Sequence, residues 1–262
     1  MFIQWYNSFM SRIENAFKGK KALITFIMAG DPSLAATEKA ILEIEKAGAD
    51  IIEIGIPFSD SIADGPVIVD AAQRAIKRGV GAKESIKLVL KLRKKTSIPI
   101  VFMTSYNIPF SYGVEKFLKD CSKAGVDGLI LPDLPFEEAK AVSASAKKNG
   151  IDLIFLIAPN TADERAKKLA ELSRGFIYLI SVTGITGIRK TLSSSIGESV
   201  RRIRKYTDKP IAVGFGISTP DQAKQAAEYA DGVIVGSAIV KMIGARTQSL
   251  SKFVSSLKKT IL

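Results

Sequence analysis

Histidine is missing from all 262 residues, and cysteine and tryptophan occur once each, as Cys121 and Trp5. Without histidine there is no Ser-His-Asp or Cys-His catalysis and no His-ligated zinc site, so proton transfer is left to carboxylates, Tyr, Lys or Cys. A single cysteine forms no intramolecular disulfide, which points to a reducing compartment. Its setting, "FLKDCSKAGV", is a helical pattern in which a thiol packs rather than reacts. No apolar run reaches the roughly 18 residues of a membrane span. Acidic residues are in the minority, 26 against 38 Lys+Arg, for a net charge of +12. The cations are spread over "KLVLKLRKK", "AKKLAEL" and "VRRIRKY", between apolar residues. That distribution fits solvated helix faces better than a nucleic-acid footprint. The first twenty residues, "MFIQWYNSFMSRIENAFKGK", carry Phe2, Trp5, Phe9, Ile13 and Phe17 near helical spacing and lack the layout of a signal peptide. An amphipathic helix packed on the fold, in a cytoplasmic protein, is expected.

What is present is a regular alternation. Short apolar runs at 22–28, 50–55, 98–103, 127–133, 152–157, 176–181, 210–215 and 232–237 read as eight strands buried on both faces, as in parallel sheets. Between them lie amphipathic helical patterns. Gly48, Gly125 and Gly150 stand where helices stop, and Asp31-Pro32 and Thr219-Pro220 where helices begin. Eight strand–helix units with right-handed crossovers close into an α/β fold of one domain over 1–262, a single (β/α)8 TIM barrel with an extra N-terminal helix. A doubly wound open sheet is the alternative.

A barrel of this kind carries its site at the C-terminal ends of the strands. Three glycine-bearing stretches fall there: "SVTGITGIRK", "GFGIST" and "GSAIVK". Glycine lets backbone N–H groups approach an anion, and a helix N-terminus adds its dipole. Gly187, Gly216, Gly236 and Ser237 are therefore candidates for holding a phosphorylated small molecule. The second strand, "IIEIGIP", places Glu53 among apolar neighbours, where a carboxylate is either ion-paired or functional. Burial would raise its pKa toward neutrality, as a group that both donates and accepts a proton requires. Asp60 and Asp64 follow in the same loop, as turn formers or as partners of Glu53.

The stretch "EIGIPFSDSIADGP" (53–66) is similar to a signature of the tryptophan synthase alpha subunit family. The similarity continues in "FIMAGDPS", "LPDLP", "YLISVTGITG", "VGFGIS" and "VIVGSAIVK", in the family's order. This resemblance implies a (β/α)8 barrel and a lyase that cleaves indole-3-glycerol phosphate to indole and glyceraldehyde 3-phosphate, in tryptophan biosynthesis. It implies Glu53 as the acid–base and Asp64 as the partner of the indole N–H. Phe26 and Phe102 match positions of the indole pocket, Tyr178 and Thr186 positions near the substrate, and Gly187, Gly216, Gly236 and Ser237 the phosphate positions. It also implies no metal or cofactor in this chain, and a beta subunit carrying pyridoxal phosphate, assembled as two alpha and two beta subunits. Ser61 and Ile108 stand where the family usually has proline, in places resembling its beta-subunit contact. A stand-alone lyase, or another phosphate-binding barrel, fits the same fold. A basic surface that binds nucleic acid is the non-enzymatic alternative.

Overall fold

The computed structural model describes residues 10–60, 64–180, 189–214, 216–245, 247 and 249–262. Within them the chain runs α1 (Arg12–Ala16), β1 (Ala22–Met28), α2 (Leu34–Lys46), β2 (Ile51–Gly55), α3 (Pro66–Ile76), α4 (Ala82–Leu92) and β3 (Ile100–Met103). It continues through α5 (Asn107–Tyr112), α6 (Val114–Ala124), β4 (Gly128–Ile130), α7 (Phe136–Lys148), β5 (Asp152–Ile154), β6 (Leu156–Ile157) and α8 (Asp163–Leu172). The last third contributes β7 (Ile177–Ile180), α9 (Arg189–Arg204), β8 (Ile211–Gly214), α10 (Pro220–Ala227), β9 (Gly232–Val235), α11 (Ser237–Gly244) and α12 (Leu250–Ile261).

All pairings between the described strands are parallel, in the order β5-β4-β3-β2-β1-β9-β8-β7-β6. The two ends of this order come from one run, 152–157, which the sequence reads as a single strand. Phe155 divides it: its N–H donates to Ser173 Oγ (3.1 Å) and its carbonyl accepts from Tyr178 N (3.1 Å). The first half of the run thus serves β4 and the second half β7, and the barrel closes through it. The strict alternation expected from the pattern is broken by α3, α5 and α11, which follow β2, β3 and β9 as additional helices. Gly48 and Gly125 do stop their helices, with φ of +107° and +88°.

The N-terminal end of the barrel is built for closure. Asp50, Asp127 and Asp231 each stand just before a strand and accept the N–H of a residue on the neighbouring one, Leu23, Ile100 and Ile211, at 2.8 Å in every case. A cation covers each carboxylate: Lys258 Nζ at 2.7 Å from Asp50, Arg93 at 2.5 Å from Asp127, and Arg204 on Asp231. The stretches "AGAD" (47–50) and "AGVD" (124–127), which hold the helix-stopping Gly48 and Gly125, therefore encode more than a helix stop.

Helix α1 plugs this end. Its capping box pairs Ser11 and Glu14 reciprocally, satisfying two N–H groups of a five-residue helix. Ile13, fully buried, fills the space left by missing side chains: a Cβ on Gly128 or Gly175 would come within 2.8 or 2.9 Å of it. Phe17 does the same beside Gly232. From there an aromatic column rises through Phe176, 5.6 Å from Phe17 between centroids, to Tyr178 at 6.5 Å.

Truncating Ile13 to alanine leaves a cavity that the glycine backbones cannot collapse into. A loss of about 2–5 kcal/mol is expected for Ile13→Ala and about 1 kcal/mol for Ile13→Val. Chemical denaturation reads both, and equal effects would contradict the plug.

Candidate active site

Strand alternation decides which side chains meet inside the barrel. Phe26 on β1 is in register with Glu53 on β2, and both line a cavity of about 270 Å³ at the C-terminal ends of the strands. Met103, Tyr178 and Ile234 complete its apolar wall. Ile68 on α3 and Ile217 close it from the loops. Room for two of these rings is made by glycines: a Cβ on Gly55 would stand 2.5 Å from Phe26 Cζ, and one on Gly214 would overlap the Tyr178 ring.

Seven of the residues singled out from the sequence converge on this cavity: Phe26, Glu53, Asp64, Tyr178, Gly216, Gly236 and Ser237. Thr186 and Gly187 lie outside the described residues. Phe102 does not line the cavity. It is fully buried in register with Ile54, one residue out of phase with Glu53, and Met103 takes the place expected for it. Counting by two from Glu53 through the β2–β3 pairing is the signal that would have found Met103. Ser218 and Gly65 also line the cavity without having been marked in the sequence.

The rim divides chemically. On one side Asp64 stands next to Gly65, the N-cap of α3. On the other, Gly236 is the N-cap of α11 and makes no side-chain cap, so the first N–H groups of that helix are available to a ligand. Gly216, at φ +79°, adds a backbone conformation that side chains rarely adopt. No Lys or Arg is among the described lining residues. Among the described residues, the groups that can face an anion here are backbone N–H groups and the Ser237 hydroxyl, since the Ser218 hydroxyl donates to Gln222 Oε1 (3.0 Å). A narrower space of about 30 Å³ continues past Phe26, Asp64 and Met103 toward Asp60 and Asp133. Asp133 is engaged in fold, accepting from Tyr106 N (2.7 Å) and Ser105 Oγ (2.5 Å), and Asp60 accepts the Ser59 hydroxyl.

Glu53 is 1% exposed, and neither carboxyl oxygen accepts a hydrogen bond among the described residues. Burial, and then the charge of Asp64, push its pKa up to about 8. Tyr178 is pushed up as well, by burial and by the charges of Glu53 and Asp64, so its hydroxyl stays a neutral donor. Cys121, buried on α6, is also raised by burial and remains a thiol. Among the described residues no group of three His, Cys, Asp or Glu is placed to hold a metal.

The sign of the Glu53 shift has a consequence for stability. The folded carboxyl holds its proton to about 8, whereas the unfolded one releases it near 4.5. The stability that protonated Glu53 allows is fully present below 4.5 and is lost as pH rises through about 8. Glu53→Gln, isosteric and never charged, should match the wild type in melting temperature at about pH 4.5 and exceed it by a growing margin toward about pH 9. Parallel melting curves across that range check this, and a constant difference would contradict it.

Comparison with known proteins agrees with the geometry. The sequence matches the family described as tryptophan synthase alpha chain over residues 13–261. It is 47% identical to the tryptophan synthase alpha chain of Thermoanaerobacter sp. (strain X514) over 263 aligned residues, covering 96% of this chain and 100% of that one. Against the alpha chain of Petrotoga mobilis the identity is 44%, covering 95% and 97%. Among solved structures, the alpha subunit of tryptophan synthase from Legionella pneumophila str. Paris superposes with a TM-score of 0.88 at 34% identity, over 96% of this chain and 98% of that one. A Mycobacterium tuberculosis tryptophan synthase structure gives 0.88 at 36% identity, covering 96% and 98%. A barrel with a buried carboxyl at its mouth and full-length similarity of this degree places the chain in the tryptophan synthase alpha chain family.

Proposed function

We propose that Glu53 and Asp64 divide the chemistry of the alpha reaction between them. Members of this family are lyases that cleave indole-3-glycerol phosphate by a retro-aldol step to indole and glyceraldehyde 3-phosphate, in tryptophan biosynthesis. Breaking the bond between indole C3 and the glycerol chain first requires C3 to be protonated, which destroys the aromaticity of the pyrrole ring. A carboxyl group that keeps its proton at neutral pH is suited to donate it, and Glu53 is such a group. The positive charge that then develops on the indole nitrogen is stabilised by the carboxylate of Asp64, which also accepts the N–H. Glu53, now a carboxylate, removes the proton from the glycerol hydroxyl. The carbonyl forms, the carbon–carbon bond breaks, its electrons return to the ring, and indole leaves with its aromaticity restored. Glu53 ends as it began, protonated.

The remaining lining residues take supporting roles in this reading. Phe26, Met103 and Ile234 offer an apolar wall for the indole ring, and Tyr178 separates it from the barrel interior. Gly216, Gly236 and Ser237 face the phosphate, through the N-terminus of α11. Thr186 is assigned to the same substrate on resemblance alone, and Gly187 on resemblance and its place in a glycine-bearing loop. The single observation that carries the proposal is Glu53 itself, buried without a hydrogen-bond partner among the described residues and set beside a second carboxylate.

The family membership implies a beta subunit as partner. The finer reading is one domain over 1–262 in a complex of two alpha and two beta subunits, located in the cytoplasm, with pyridoxal phosphate in the beta subunit and no cofactor in this chain. Ile108 and the exposed Phe110 on α5 offer an apolar edge to that partner.

Indole release from indole-3-glycerol phosphate tests the division of labour. Glu53→Gln should lower kcat by roughly a hundredfold or more with little change in KM, as loss of a general acid–base does. Asp64→Asn keeps an acceptor for the N–H but not the charge, and should lower kcat by a similar order. Wild-type turnover that survives Glu53→Gln would refute the assignment.

A further inference from the structure

A second pair of residues, remote from the reacting atoms, ties the two halves of the site together. Asp31, just beyond the end of β1, is 3% exposed and is ion-paired with Arg74. Its two carboxylate oxygens accept from Arg74 Nε and Nη2, each at 2.8 Å, in a planar fork. Arg74 belongs to α3, the helix whose N-terminus follows Asp64 and whose Ile68 lines the cavity. Helix α3 packs on both β1 and α11. The end of α11 rests on the fork itself: a Cβ at Gly244 would stand 3.5 Å from Arg74 Nη2 and 3.9 Å from Asp31 Oδ2. The opposite end of α11 is Ser237, at the cavity.

We propose that the Asp31–Arg74 fork is a positioning element of the site, which holds α3 and α11 as one shelf over β1 and so fixes Asp64 and the N-terminus of α11 relative to Glu53. The shelf has no other covalent tie to β1 than the loops at its ends. Among the described residues its placement rests on apolar packing, which permits sliding, and on the fork, which does not. A bidentate guanidinium–carboxylate pair sets distance and orientation together, something a lysine at the same position cannot do. Asp70 also faces Arg74 with its charge, but from the same helix, so it cannot locate α3 on the barrel. The inference rests on the catalytic reading above for its effect on turnover, but not for its effect on the proton affinity of Glu53.

The test is Arg74→Lys, which keeps the charge and removes the fork, with Asp31→Asn as the second variant, both in the full chain. Two readouts separate positioning from mere support. The first needs no catalysis: the high-pH gain in melting temperature from Glu53→Gln is measured again in the Arg74→Lys and Asp31→Asn backgrounds. Asp64 and Tyr178 are the titratable groups coupled to Glu53, and the charge of Asp64 raises its pKa. A displaced Asp64 repels less, so the gain should shrink in both backgrounds. The second is kinetic, at a temperature below the unfolding of every variant. Here kcat/KM for indole-3-glycerol phosphate should fall roughly ten- to a hundredfold, with kcat lowered through Asp64 and KM raised through α11. An unchanged Glu53→Gln gain overturns the proposal, and so does a lowered melting temperature with unchanged kcat and KM. If the wild type itself releases no indole, the catalytic reading fails, and the stability comparison still decides whether the fork positions Asp64.

Discussion

A carboxyl group inside a parallel barrel keeps its proton at neutral pH when there is no solvent to stabilise the charge and no donor aimed at it. Among the described residues Glu53 is in that position, and the rest of the mouth of the barrel is arranged around it. Its neighbours across the sheet are apolar, so its charge is not stabilised from below. Asp64 is near enough to repel a second negative charge, which holds the proton on Glu53 more firmly still. A carboxyl group that keeps its proton, inside the barrel wall, thus meets a second carboxylate from the loop eleven residues on. An acid and an anion at one site, with no histidine and no metal needed, is what the proposed reaction asks for.

The two ends of the barrel divide stability from chemistry. At the N-terminal end, charge is consumed: Asp50, Asp127 and Asp231 each bind a backbone N–H and a basic side chain, while Ile13 and Phe17 fill the space between glycines. At the C-terminal end, hydrogen-bonding capacity is left unspent among the described residues, at the start of α11 and on Glu53. The aromatic column of Phe17, Phe176 and Tyr178 joins the two and fills the interior beneath the site with buried apolar rings. Proton chemistry near neutral pH depends on that apolar interior, so the plug contributes to the environment of Glu53 as well as to folding.

Much of this was legible in the sequence because apolar runs and glycine stops follow directly from a parallel barrel. The eight runs all became strands, and Gly48 and Gly125 stop helices as expected. The division of 152–157 at Phe155 was not legible, since it depends on a hydroxyl eighteen residues away, at Ser173. Helices α3 and α5 were missed because each is a second helix within one strand-to-strand connection, which a strictly alternating pattern does not anticipate. Resemblance brought Phe26 and Tyr178 to the cavity, and the loop pattern brought Gly216 and Gly236, but Phe102 was placed one residue out of phase, which strand alternation corrects. The Asp31–Arg74 fork could not have been read from the sequence at all. Its partners are 43 residues apart, and only the folding of α3 back over β1 brings them together.

The account depends most directly on the proton of Glu53. Labelling the glutamate side-chain carboxyl carbons with carbon-13 and following their NMR shifts against pH, with Glu53→Gln to identify the signal, measures it without substrate. A midpoint near 8 is the expected result. A midpoint in the ordinary glutamate range, about 4 to 5, would mean that Glu53 is ionised at neutral pH, and the assignment of the buried carboxyl as the proton donor would be contradicted.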